Sequence, residues 1–263
     1  MRPVEIGGVG LHMESPEAPR YFAPILILPG LFQSPICWRG VTSTLAHRGW
    51  EAYLLPRVPL EGDEDTPVDY DQTWSESCDA VERVASNLGD KVIVFGADVG
   101  AALALATLDR IRPMALALFA PAEPAHVGRT FDRTMGMFAK RRFNKASGPV
   151  EAPDAYAKTA YQEVDIVAEP RSFVRELIEG VPFSRPDVHP PAIVFGTGAD
   201  PLVDSDHSMS FADTQFSKAA RSGLGGRWWP SLGWEPACEE AHRFLILTLG
   251  DRVVDFPDEI IGD

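Results

Sequence analysis

Short, unbroken apolar blocks alternate with stretches of helical period along this chain. Ile25-Leu-Ile-Leu28, Ala115-Leu-Ala-Leu-Phe119 and Ala192-Ile-Val-Phe195 have no polar interruption. Blocks of that length fit strands buried on both faces of a parallel sheet. Glu51-Ala-Tyr-Leu-Leu55 and Lys91-Val-Ile-Val-Phe95 predict two more strands. Val4-Glu-Ile6 and Val9-Gly-Leu-His-Met13 are glycine-punctuated and suit an opening hairpin. Between these blocks the period changes. Ser34-Pro35 reads as a helix N-cap with proline at the first helical position, and that helix runs to His47 and stops at Gly49. Trp74, Cys78, Val81, Val84 and Leu88 share one helical stripe, Ala101 to Ile111 is an alanine-rich helix, and Pro236 to Leu249 closes the chain. Strands alternating with helices predict an α/β, mostly parallel, doubly wound sheet.

The alternation lapses between about Pro124 and Pro191, which read as helices. Phe131, Met135 and Phe138 lie on one stripe there, near Arg133, Lys140, Arg141, Arg142 and Lys145. That basic cluster is read either as a solvated helix face or as an attractor for anions. Glu61 to Asp71 carries six carboxylates and no base, so it is expected to be a solvated loop. A calcium loop needs alternating ligands and a closing Glu, a pattern this run lacks, so no metal site is expected.

Composition narrows the function classes. With 45% hydrophobic and 24% charged residues, the 263-residue chain matches an ordinary globular domain. A formal charge of −14 argues against nucleic acid, whose phosphates require clustered Lys and Arg. Cys37, Cys78 and Cys238 are far apart and odd in number, which speaks against a disulfide framework or a structural zinc site. Residues 1–20 lack the apolar core of a signal peptide, and no apolar run reaches the ~18 residues of a membrane span. The expectation is a cytoplasmic protein that binds neither membrane nor nucleic acid; its oligomeric state is open.

The chemistry centres on Gly96-Ala-Asp-Val-Gly100, between the Lys91–Phe95 strand and the alanine-rich helix. Its spacing resembles the G-x-S-x-G nucleophile elbow of the α/β-hydrolase family, with Asp98 at the nucleophile position. A nicotinamide-binding G-x-G-x-x-G would need glycine where Asp98 stands. The resemblance extends from Ile25 to about Leu249. It implies an α/β-hydrolase core over 1–123 and 191–263, with residues 124–190 inserted as a helical cap after the strand that follows the elbow. It also implies a small-molecule ligand under that cap, without a cofactor.

The same resemblance assigns the site. Pro29-Gly30 stands where the family usually has His-Gly, so Leu31 and Phe32, with Val99, fall at the oxyanion-hole or substrate-binding positions. Gly196-Thr-Gly-Ala-Asp-Pro-Leu-Val203 places Asp200 at the catalytic acid. Arg227 to Pro236 is expected to hold the last strand and the histidine turn, where this chain has Gly233-Trp234. Aspartate at the elbow is similar to haloalkane dehalogenases and epoxide hydrolases, although Ala97 and Val99 replace the His and Trp usual around that nucleophile. Such an ester needs a general base to be split. Of the six histidines, His126 is best placed to replace the one missing at Trp234; His207 is expected to open a helix and His242 to face away.

Simpler roles stand beside these. Asp98 suits a helix N-cap, Asp200 a turn and His126 a solvent-facing position. Three functions follow: a binding protein with a degenerate triad and weak or no hydrolase activity, an Asp-nucleophile hydrolase of dehalogenase, epoxide hydrolase or esterase type with a displaced base, or a lyase, isomerase or cyclase using Asp98.

Overall fold

The computed structural model describes residues 1–31, 33, 35–56, 73–143, 171–182, 189–197, 203, 205–216, 219–224, 234–250 and 253. Among these residues eight strands form one sheet: β1 (Arg2–Ile6), β2 (Val9–Glu14), β3 (Ile25–Leu28), β4 (Ala52–Leu54), β5 (Ile93–Ala97), β6 (Ala115–Phe119), β7 (Ala192–Thr197) and β8 (Ala220–Leu224). Their spatial order is β1-β2-β4-β3-β5-β6-β7-β8. The first two strands pair antiparallel, β2 continues antiparallel to β4, and every later pairing is parallel.

The helices are α1 (Arg39–His47), α2 (Trp74–Leu88), α3 (Val99–Ala106), α4 (Leu108–Ile111), α5 (Pro124–Phe143), α6 (Arg171–Glu179), α7 (Ser205–Gln215) and α8 (Trp234–Leu249). They cover both sheet faces, and strand alternation sorts the core between them. Ile25, Ile27, Ile93, Phe95, Ala117 and Phe119 join α1 and α8 residues such as Leu45 and Leu245 in one apolar cluster. Leu26, Leu28, Val94, Leu116, Leu118 and Val194 point the other way, onto α2, α3 and α7. Burial on both faces is why these strands read as continuous apolar runs.

Local chemistry explains several boundaries. At the start of α2, Thr73 and Glu76 form a reciprocal capping box, and the Trp74 N–H donates to Glu176 at 2.9 Å. The expected helix over 101–111 divides at Thr107. The Thr107 hydroxyl donates back to the Leu103 and Ala104 carbonyls at 2.8 and 3.2 Å, a bonding pattern that competes with the helix ladder. The helix expected from Pro35 begins as a 3-10 turn over Pro35–Trp38 before α1. The last strand among the described residues is Ala220–Leu224, ahead of the 227–236 stretch expected to hold it, of which residues 227–233 lie outside the described residues. Among the described strands β8 ends the sheet order, and an edge strand does not need the apolar residues that mark the inner ones. The closing helix likewise begins at Trp234, with Pro236 accommodated in its first turn.

Within the interval expected to be a cap, α5 and α6 pack together closely. A Cβ at Gly128 would lie 3.0 Å from Leu177 Cβ and 3.3 Å from the Val174 carbonyl oxygen. Phe131, Phe173, Val174 and Leu177 continue the apolar cluster beneath α2 and α3. The acidic run over 61–71 and the cluster from Lys140 to Arg142, as side chains, lie outside the described residues.

Candidate functional site

The sheet order creates the place for a site. From β3 the chain turns to β4 on one side, while from β5 it turns to β6 on the other. The carboxyl ends of adjacent β3 and β5 therefore diverge, which is the switch point where open α/β sheets bind ligands. The segments leaving those two ends are Pro29-Gly30-Leu31 and Asp98-Val99.

Asp98 occupies the turn between β5 and α3 with φ 37° and ψ −106°. Positive φ in a residue with a side chain is strained and concentrates at functional turns. The turn is over-determined by its neighbours. The Asp98 N–H donates to the Phe119 carbonyl at 3.0 Å, and the Asp98 carbonyl accepts from Ala102 at 3.2 Å. Gly100 lies against β3 so closely that a Cβ there would be 2.3 Å from the Leu28 oxygen and 2.4 Å from the Pro29 oxygen. A Cβ on Gly96 would meet Ala101 Cα at 2.7 Å. Both glycines of the motif are thus required by backbone approach.

The carboxylate itself is buried, with 4% of the residue exposed. Its Oδ1 accepts the Leu31 N–H at 2.8 Å and also the Val99 N–H. These are the residue after the elbow and a residue of the β3 loop, the two backbone donors expected to form an oxyanion hole. They converge here on the protein's own side chain. Oδ2 lies over Gly30, where an added Cβ would be 2.1 Å from it. Two backbone donors thus converge on one carboxylate oxygen at the N-terminus of α3. Leu31 is fully buried and Val99 is buried as well.

Other expected residues fall elsewhere. His126 lies in the first turn of α5, and its ring stacks on His207 of α7 with centroids 3.6 Å apart and planes 22° from parallel. His207 Nε2 is 3.5 Å from a Glu123 carboxylate oxygen. This brings two imidazoles and a carboxylate together beyond β6 and β7. The sequence places His207 on a helix, as found, but nothing in the spacing signals the stack. Near-parallel rings at that separation cannot both point nitrogens in-plane at one metal ion. Among the described residues no group of three or more His, Cys, Asp or Glu could hold a metal ion.

His242 is committed to the opposite sheet face, accepting the Trp50 indole N–H at Nδ1 over 3.0 Å. Burial, and then the Arg48 charge, hold its imidazole below the ordinary value. Asp200 and Phe32 lie outside the described residues, as does the Trp234 side chain, although Trp234 is the first residue of α8. Sequence reasoning missed Gln33. It is buried in the β3 loop and binds Gly30 and Trp38.

No described helix is long and apolar enough to cross a membrane. No curated protein sequence matches the chain. Among solved structures, an esterase from Thermogutta terrifontis superposes with TM-score 0.68 at 17% identity, covering 94% of this chain and 99% of that one. An epoxide hydrolase from Bacillus megaterium, solved as a point mutant, gives 0.64 at 14% identity, with 95% and 100% covered. The N-acyl homoserine lactonase AidH, also a point mutant and complexed with N-hexanoyl homoserine, gives 0.66 at 15%, with 95% and 97% covered. At such identities the likeness is one of fold. The alpha/beta hydrolase family model, however, matches residues 25–256, from β3 through the elbow to the closing helix. With its strand order, its strained Asp98 turn and that match, the chain belongs to the alpha/beta hydrolase family.

Proposed function

We propose that this protein binds a small apolar molecule above the elbow and has weak or no hydrolase activity, its triad positions being Asp98, Asp200 and Trp234. The carrying observation is that both oxyanion-hole donors, Leu31 N–H and Val99 N–H, are spent on Asp98 Oδ1. Acyl transfer needs those donors for the substrate oxygen that becomes an oxyanion. Here a carboxylate fills the position and repels a second negative charge. The α5–α6 pair is, in this reading, part of a cap over residues 124–190 that supplies apolar walls. A histidine base in hydrogen-bond reach would also be needed for turnover, and the family position for it holds Trp234.

The test uses p-nitrophenyl esters of short chain length. Wild type and Trp234→His are expected to hydrolyse them weakly or not at all, because residue 98 still occupies the hole. The double variant Asp98→Ser/Trp234→His is expected to gain measurable turnover. Ester hydrolysis by wild type that Asp98→Asn abolishes would refute the reading.

The same geometry favours one second reading. A carboxylate with Oδ1 held by two N–H groups is also poised for displacement at carbon by its other oxygen. In that case a C–O or C–X bond of an epoxide or alkyl halide breaks as an Asp98 ester forms. Water then attacks Asp98 Cγ, and the tetrahedral oxyanion sits on Oδ1 between Leu31 and Val99. His126 would be the displaced base. Intact-mass measurement after exposure to an epoxide separates the readings: an adduct lost in Asp98→Asn supports displacement, and an unchanged mass without turnover leaves binding. A lyase, isomerase or cyclase use of Asp98 has no specific observation in its favour.

A further inference from the structure

The Gln33 side chain braces the loop that delivers Leu31. Gln33 has only 6% of its surface exposed, and its Oε1 accepts the Gly30 N–H at 2.9 Å and the Trp38 indole N–H at 3.1 Å. Two N–H donors converging on one terminal atom fix that atom as the amide oxygen. The Gln33 N–H in turn donates to the Gly30 carbonyl at 3.1 Å, closing a tight turn. Leu31 lies inside this turn and points its N–H at Asp98 Oδ1 over 2.8 Å. Gln33 also reaches the carboxylate's own neighbourhood. A single point above Gly30 is 2.1 Å from Asp98 Oδ2 and 2.8 Å from Gln33 Cδ.

We propose that Gln33 is the positioning residue of the Asp98 site: its amide oxygen clamps Gly30 and Trp38 together and thereby aims the Leu31 N–H at Asp98 Oδ1. This goes beyond the functional reading and holds under either chemistry, because it concerns what shapes the hole. The residue type follows from the geometry. An apolar side chain would remove the acceptor that the Gly30 and Trp38 N–H groups share, and a lost buried hydrogen bond costs about 1–3 kcal/mol. A glutamate would keep the acceptor but set a second carboxylate beside the first. A shorter asparagine lacks the reach to both donors. Trp38 is fully buried, so its indole N–H needs an internal acceptor in any case.

Amide hydrogen exchange, followed by NMR, tests the assignment through the ratio of two rates. Leu31 and Val99 donate to the same oxygen, but only Leu31 lies in the loop that Gln33 holds. In Gln33→Leu, Leu31 is expected to exchange at least about tenfold faster while Val99 keeps its wild-type rate, as befits losing one bond to a charged acceptor. Equal acceleration of both, or of neither, would overturn the proposal, since general loosening moves the pair together. Where Gln33→Leu does not fold, Gln33→Glu decides. It restores an acceptor of the same reach, so the Leu31-to-Val99 ratio is expected to stay at wild type. Selective acceleration of Leu31 in that variant would overturn the proposal.

Discussion

Replacing Gly100 by alanine tests the elbow's construction most directly. The added Cβ would lie 2.3 Å from the Leu28 oxygen, 2.4 Å from the Pro29 oxygen and 2.7 Å from the Leu28 carbonyl carbon. Ordinary carbon contacts start near ~3.5 Å, so α3 and β3 must separate by about 1 Å. All three atoms are backbone, and β3 is hydrogen-bonded between β4 and β5, so no side chain can swing away. Overpacking typically costs 1–3 kcal/mol, and a clash with fixed backbone belongs at the top of that range, about 3 kcal/mol. For a domain of this size each kcal/mol lowers the midpoint by about 2–4 °C, so Gly100→Ala is expected to melt about 6–12 °C lower. Gly10→Ala is the control: Gly10 is exposed on β2 and a Cβ there meets nothing within 4 Å. Its change is expected to stay within about 0.5 kcal/mol. Calorimetric or circular-dichroism melts of the three proteins at pH 7.5 supply the comparison. Equal midpoints for Gly100→Ala and Gly10→Ala would refute the claim that backbone approach dictates the glycine.

Other outcomes follow from the same geometry. Gly30→Ala puts its Cβ 2.1 Å from Asp98 Oδ2, the tip of a side chain rather than backbone, so it is expected to move the carboxylate at a smaller stability cost. Loss of Asp98-dependent ligand binding or turnover, with a melting midpoint closer to wild type than that of Gly100→Ala, checks it. The depressed His242 imidazole stays neutral in the folded protein while the unfolded chain takes up a proton near pH ~6.5. Stability is therefore full above that pH and falls as pH drops below it. His242→Gln, which offers the Trp50 indole an acceptor that does not titrate, is expected to flatten this slope in melts from pH 7.5 to 5. Burial pushes the Cys78 thiol to about 11 and the Cys238 thiol to about 12. Both are expected to resist iodoacetamide at pH 8 until denaturant is added, read by mass spectrometry of the labelled peptides.

Much of the architecture was legible because burial writes itself into residue type. Ile25–Leu28 reads as a strand and is one, since every side chain is enclosed between two helix layers. Trp74–Leu88 carries its own start signal in Thr73 and Glu76, and its stripe matches the observed buried face. The elbow was legible for a different reason: its glycines answer to backbone distances that any sequence of this fold must respect. Edge structure was less legible. Among the described strands β8 pairs with β7 alone, and its side chains are partly exposed, so Arg221-Ser-Gly223 looks like loop. Leu31, Val99 and Asp98 were visible as separate positions, but the hydrogen bonds that join them were not. Gln33 in a Pro-Gly loop looks like any polar turn residue, and only its distance to the Trp38 indole exposes its role. His126 and His207 lie on different helices with α6 and β7 between them in the chain, so their stacking is a product of the tertiary fold.

The bond from the Leu31 N–H to Asp98 joins residues 67 positions apart, across β4 and α2. Closing so large a loop is entropically costly and is not repaid until β3 and β5 are already side by side. The cradle around Asp98 therefore depends on β3 and β5 having paired, and a chain ending short of Asp98 cannot hold it. A spectroscopic signal from that carboxylate would time the completion of the central sheet, whatever molecule the finished protein takes up.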